Sequence, residues 1–184
     1  MTDIAQPLTL PASGVVLKNR IAKAAMSERM AAPDHAPSAE LLTLYTRWAR
    51  GGSGLLLTGN IMVDSNALGE QGNVAVEDER HMEGLRAWAQ ASTAHGTHAW
   101  VQINHPGRQS PRFVSRQPVA PSPVPLKGFA GLFATPRALE DHEIRNIIDR
   151  FAATAALTQE AGFSGVQIHG AHGYLISQFL SPRT

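Results

Sequence analysis

Short apolar runs of strand length alternate with amphipathic stretches of helical period along this 184-residue chain, and that alternation leaves few folds open to it. Residues 8–10 (LTL) and 15–17 (VVL) flank a Pro11-to-Gly14 turn and read as a small hairpin. Residues 21–26 (IAKAAM) are the first buried-strand candidate, interrupted by Lys23. Residues 54–59 (GLLLTG) form a continuous apolar run, the pattern of a strand covered on both faces. A third strand is expected over 98–104 (HAWVQIN), and a fourth, also buried, over the apolar run Val166-Gln167-Ile168. Between them lie three helices. Ser38 can cap the first, whose apolar face is Leu41, Leu42, Leu44, Tyr45, Trp48 and Ala49, and Gly51-Gly52 stop it. The second covers 78–95, with Met82, Leu85, Trp88 and Ala89 inward. The third covers 139–161, where Ile144, Ile147, Ile148, Phe151, Ala152 and Ala155 keep a 3.6-residue period and Gly162 closes the helix. A short helix over 175–180 follows the last strand. The Pro/Arg-rich stretch 105–136 is too long for an ordinary strand-to-helix connection and reads as a lid or crossing loop.

Alternating strands and helices imply a parallel sheet with right-handed crossovers. Open doubly wound sheets and closed (β/α)8 barrels both begin this way. No G-x-G-x-x-G follows a strand and no P-loop is present, so the nucleotide-binding open sheet has no support. Polar residues cluster after strands instead: Ser27 and Glu28, Gly59 and Asn60, residues 102–108, and residues 169–174. In a barrel all four clusters emerge on the C-terminal face, where such enzymes place their chemistry.

The totals exclude several functions. A net charge of +1 without a Lys/Arg-rich run argues against nucleic acid as a partner. Zero cysteines remove disulfides, thiolate chemistry and Cys-ligated zinc. The opening MTDIAQPLTLP has no cationic and apolar pattern of a secretory signal, and no apolar run approaches the roughly 20 residues of a membrane span. A cytoplasmic enzyme without a membrane partner is the expectation.

The densest chemistry lies in residues 165–184, GVQIHGAHGYLISQFLSPRT. His169 and His172, three apart in a loop leaving a strand, can face one point. Two imidazoles so close oppose double protonation, so at least one is a neutral N–H donor near pH 7. Such donors can hold a carbonyl oxygen and stabilise the negative charge of an enolate-like transition state. Tyr174 is a weak acid suited to giving one proton to carbon. Metal ligation and core packing are the other readings of the histidines; no carboxylate adjoins the pair, and catalytic zinc wants a third ligand. Gln102, on the third strand, offers a donor and an acceptor suited to a pyrimidine-like edge, or is a satisfied core amide. Asn60 and Ser27 stand likewise. Arg108 either reaches a phosphate or solvates its loop. Lys23, in mid-strand, needs a partner for a buried ammonium, and none is evident.

These segments resemble the Old Yellow Enzyme family of NAD(P)H-dependent flavin oxidoreductases. The matching pieces are LKNRIAKAAMSE (17–28), GLLLTGNIMV (54–63), VQINHPGR (101–108), EAGF (160–163) and, above all, GVQIHGAHGYLISQFLSPRT (165–184). The resemblance implies an FMN-containing (β/α)8 barrel in which NADH or NADPH reduces the flavin, and hydride then passes to the β-carbon of an activated alkene. By matching position, His169 and His172 bind the electron-withdrawing group, with His169 also beside the flavin, and Tyr174 is the proton donor. Gln102 contacts the flavin pyrimidine edge. Ala24, Ala25, Met26 and Ser27 line the flavin, and Asn60 sits where a flavin contact follows the second strand. No metal is implied. Ala25 stands where the family usually has Pro, Ser27 where Thr or Cys is commoner, and Asn60 in place of a small Gly or Ala.

Four strand–helix units are begun where a barrel needs eight, so residues 1–184 correspond to the N-terminal half of one FMN-binding barrel. The phosphate site built from late barrel loops and the YGGS-like segment expected after SPRT are not among them. The missing C-terminal half is therefore an expected partner, in the same full-length chain or in a second polypeptide, together with a homo-oligomeric state. A non-catalytic half-barrel module is the alternative, and a metal-dependent barrel hydrolase a remote one.

Overall fold

The computed structural model describes residues 3–184; Met1 and Thr2, the start of the stretch read for an export signal, lie outside the described residues. β1 (Leu8–Thr9) and β2 (Val16–Leu17) pair antiparallel as the expected hairpin. There follow β3 (Ala22–Lys23), α1 (Ala39–Arg50), β4 (Leu55–Met62), β5 (Val74–Ala75), α2 (Met82–Thr93) and β6 (His98–Asn104). The long loop contains β7 (Val119–Ala120), which pairs with β8 (Arg137–Ala138). α3 (Asp141–Ala161), β9 (Gly165–Ile168) and α4 (Leu175–Phe179) complete the order.

The main sheet runs β3-β4-β6-β9, every pair parallel, with β5 added beside β4. Along the path β3-β4-β6-β9 the order in space follows the order in the chain, so this path has no topological switch point, and its strands are laid like consecutive staves of a barrel. The sheet does not close: β3 and β9 are its edges.

Local chemistry explains the elements. The Ser38 side chain accepts from Leu41 N–H at 3.1 Å to start α1. Glu140 and Glu143 form a capping box at α3, and Gly162, at φ +105°, ends that helix in the left-handed conformation. The core sits between β4 and β6 and the helices α1 and α2, with Leu41, Tyr45, Leu56, Ile61, Leu85, Trp88, Val101 and Ile103 at 1% exposure or less. Among the described residues no helix is long and apolar enough to cross a membrane.

Four expectations are corrected. Residues 21–26 are not a buried strand: only Ala22 and Lys23 pair, and Ile21 and Met26 are about half exposed at the sheet edge. β9 is an edge as well, with Val166 37% and Ile168 59% exposed. The second helix breaks into a 3-10 turn at each end, with His95 at φ +61°. Finally, the apolar stripe of α3 is only partly covered. Its buried residues are Thr154, Thr158 and Ala161, while Ile148 is 61% exposed. Ile147, Ile148 and Phe151 line an apolar groove of about 370 Å³ with Ile168, Leu175 and Phe179. A helical period reports which side is apolar, not which partner covers it.

Candidate active site

Three side chains meet where β9 gives way to the loop before α4. The His169 and His172 rings are 5.0 Å apart between centroids, and Tyr174 stands edge-on to His169 at 4.8 Å and 6.5 Å from His172. Their placement follows from the backbone. His169 N–H still donates to Ile103 O, at 3.0 Å, so this residue leaves the sheet last. His172 then turns at φ +57° and Gly173 at +75°, which reverses the chain and brings Tyr174 back beside His169. Gln109 Nε2 donates to His172 O at 2.7 Å and holds the strained residue. Gln178, 1% exposed, donates to Gly173 O at 2.7 Å and Pro106 O at 3.1 Å, tying this loop to the one after β6.

Electrostatics fit these groups for donation. His169 is held below the ordinary imidazole range, first by burial and then by the neighbouring His172, so it is neutral near pH 7. Its Nδ1 accepts from Ala171 N–H at 3.3 Å, which leaves the ring proton on Nε2. The Tyr174 phenol is pushed up by burial and by Glu70, with the Asn60 amide acting the other way by hydrogen bonding, so it keeps its proton.

Alongside lies a row of carboxamides. Asn60, Gln102 and Gln167 are register partners on β4, β6 and β9, hence on one face of the sheet. Gln102 Nε2 donates to Gln167 Oε1 at 2.8 Å. Asn60 Oδ1 is buried without a hydrogen-bond partner. A β4 bulge places this row: Thr58 Oγ1 accepts from Gln102 N–H at 3.0 Å, in place of a ladder bond. A planar ring with N–H and carbonyl groups on one edge fits such a face, because Asn60 Oδ1 can accept from the N–H, and Gln102, which gives one Nε2 proton to Gln167, has a second to donate to the carbonyl.

Residues 24–27 form the irregular rim after β3, with Ala25 half-buried and Ala24, Met26 and Ser27 exposed. Asn73 Nδ2 donates to Ser27 Oγ at 3.2 Å, leaving the serine proton free to donate. Arg108 does not turn to this face; its Nη1 donates to Val124 O at 2.9 Å and pins the long loop. Gln102 is half-buried at the face of the sheet rather than enclosed as a core amide. Among the described residues no three His, Asp or Glu side chains gather where a metal ion could be held.

Sequence reasoning missed Gln167, Asn73, Gln109 and Gln178, whose roles depend on cross-strand neighbours. It also missed His105, which is 2% exposed and whose pKa is lowered to about 4 by burial, with Arg150 adding to this and Asp64 opposing it. Unfolding lets His105 take up a proton near its ordinary 6.5, so the unfolded state binds more protons between pH 6.5 and 4. Stability is full above 6.5 and falls as pH drops through that window, by up to about 3 kcal/mol. Urea midpoints followed from pH 7.5 downward check this, and a His105→Gln variant with the same slope contradicts it.

A family model described as the NADH:flavin oxidoreductase / NADH oxidase family matches residues 3–184. The NADH-dependent flavin oxidoreductase iliE of Hypocrea jecorina is 41% identical over 97% of this chain and 49% of its own length. NADH oxidase of Thermoanaerobacter brockii is 41% identical over 92% of this chain and 26% of its own. Among solved structures, the old yellow enzyme homologue from Zymomonas mobilis superposes with a TM-score of 0.88 at 30% identity, covering 98% of this chain and 52% of that one. Morphinone reductase in complex with tetrahydroNAD gives 0.88 at 27% identity, covering 99% and 53%. The chain thus spans about half of the length of three of these relatives and about a quarter of the fourth.

Proposed function

The chain belongs to the NADH:flavin oxidoreductase / NADH oxidase family, whose cofactors are FMN and a reduced nicotinamide nucleotide, and from that premise we propose that it is the N-terminal half of an ene-reductase barrel. The observation that carries the proposal is the convergence of two imidazoles and a phenol within 6.5 Å, beside an open row of carboxamides.

Residues 24–27, Asn60, Gln102 and His169 would hold FMN, which when bound supplies hydride to an alkene carbon. The protein supplies the rest. His169 Nε2–H and His172 hold the carbonyl or nitro oxygen that gains charge, a stabilisation worth most in a site closed to water. Tyr174 gives the proton to the neighbouring carbon. Gln102, oriented by Gln167, fixes the ring edge, and Asn60 Oδ1 accepts from it. Either NADH or NADPH serves this scheme, and a cytoplasmic setting goes with it.

The remaining staves come from the C-terminal half. Support lies in the open edges β3 and β9 and in the uncovered groove along α3, a combination that in isolation invites strand-to-strand association. The alternative, a half-barrel module without catalysis, predicts a colourless chain that self-associates. One experiment decides. The protein joined to its C-terminal half is purified, and its intact mass and visible spectrum are recorded. Bound FMN in a 1:1 ratio with NADH-dependent bleaching supports the enzyme; a colourless product that takes up no added FMN defeats it.

Phenols that stack in such sites report the oxyanion contacts. His169→Ala is expected to weaken phenol binding about tenfold, the worth of one good hydrogen bond to a charged acceptor. Spectral titration measures it, and unchanged affinity removes His169 from the role.

A further inference from the structure

We infer that the buried ion pair of Lys23 and Glu28 is a clamp that positions residues 24–27 against the flavin, making both of them positioning residues of the site. The inference rests on the flavin reading above. The pair also answers the missing partner of Lys23: the carboxylate lies five residues downstream, at 3.3 Å, and each side chain is 9% exposed.

Every proton of the ammonium is used. Lys23 Nζ donates to Glu28 Oε1, to Ala24 O at 3.0 Å and to Leu57 O at 2.7 Å. The cation also sits over the Trp48 ring at 4.5 Å and the Tyr45 ring at 5.5 Å. Glu28 in turn accepts from the Tyr45 hydroxyl at 2.7 Å and from Gly59 N–H at 3.2 Å. The two ends of the rim are therefore joined to each other, fastened to β4 at Leu57 and Gly59, and braced on α1 at Tyr45 and Trp48.

Gly59 is part of the device. A Cβ there would run into the Met26 carbonyl oxygen and the Glu28 carboxylate, so only glycine lets the rim approach β4 this closely. Stability alone does not account for the pair, because replacing both members of a buried ion pair by apolar groups is often neutral. What an ion pair with this many directed bonds gives is a single position for the backbone between its ends. That backbone has no helix or strand to hold it.

The test uses the chain joined to its C-terminal half, as wild type, Lys23→Met, Glu28→Gln and the double variant. Methionine keeps the stem against Trp48 and removes the donors. The double variant leaves no uncompensated buried charge, so it guards against simple misfolding. Its thermal midpoint is expected to stay near that of the wild type. Backbone order parameters of residues 24–28 are expected to fall from about 0.85 toward about 0.6, and FMN affinity, read by flavin fluorescence, to drop about tenfold. Wild-type order parameters and FMN affinity in the double variant overturn the inference. Loosened residues with unchanged affinity overturn its flavin half. A wild type that takes up no FMN, with residues 24–28 still loosened in the variants, sinks the flavin reading and leaves the clamp standing.

Discussion

Tyr174→Phe in the completed, flavin-loaded barrel is expected to slow alkene reduction about 10²–10⁴-fold, the usual worth of a positioned general acid, while NADH reduces the flavin at a rate within about twofold of wild type. The selectivity comes from where the hydroxyl is needed. Only the step that delivers hydrogen to the alkene also requires a proton at carbon, and burial together with Glu70 keeps the phenol protonated for that step. The substitution leaves the ring, so the edge-on contact with His169 at 4.8 Å survives and the imidazole stays in place. Stopped-flow measurement of the two half-reactions separates them. Equal losses in both would mean that Tyr174 shapes the site without donating.

The second large effect concerns the core. Trp88 is 1% exposed and packs edge-on to Tyr45 at 5.2 Å and to Phe163 at 5.5 Å, joining α2 to α1 and to the turn before β9. Trp88→Ala is expected to cost about 3–5 kcal/mol through lost transfer energy and the cavity left behind. Total stabilities are commonly about 5–15 kcal/mol, so much of the margin disappears. A lowered urea midpoint with an unchanged slope is the expected reading. Trp88→Phe should lose less, because the indole Nε1 is buried with no partner and its removal relieves that group. A Trp88→Ala loss below about 1 kcal/mol would show that the surroundings collapse to fill the space.

The helices and the longer strands β4 and β6 were legible because period and capping are local, whereas the two-residue strands β5, β7 and β8 were not. Ser38, Gly51 and Gly162 fixed helix ends from single residues, and the apolar run after Gly54 marked β4. Convergence of His169, His172 and Tyr174 was legible too, since six residues with a glycine turn cannot carry them far apart. What escaped depended on partners distant in sequence. Lys23 looked stranded because its carboxylate is reached only after the rim folds back, and its closest acceptor, Leu57 O, is 34 residues away. Gln167 looked like any strand residue until β9 docked in register with β6 and set it against Gln102. The exposure of β9 and of the α3 stripe was illegible for a further reason. An apolar surface reads the same whether its cover is in hand or still to arrive.

The strand order β3-β4-β6-β9 also bears on how such a polypeptide is made. Each stave docks on the one synthesised just before it, so a chain emerging from the ribosome at about 5–20 residues per second can assemble this sheet in the order of its birth. Only the newest strand is then an active growing front. β9 is the last strand laid down on this path, and in the barrel proposed above β3 would be the seam that the final stave meets.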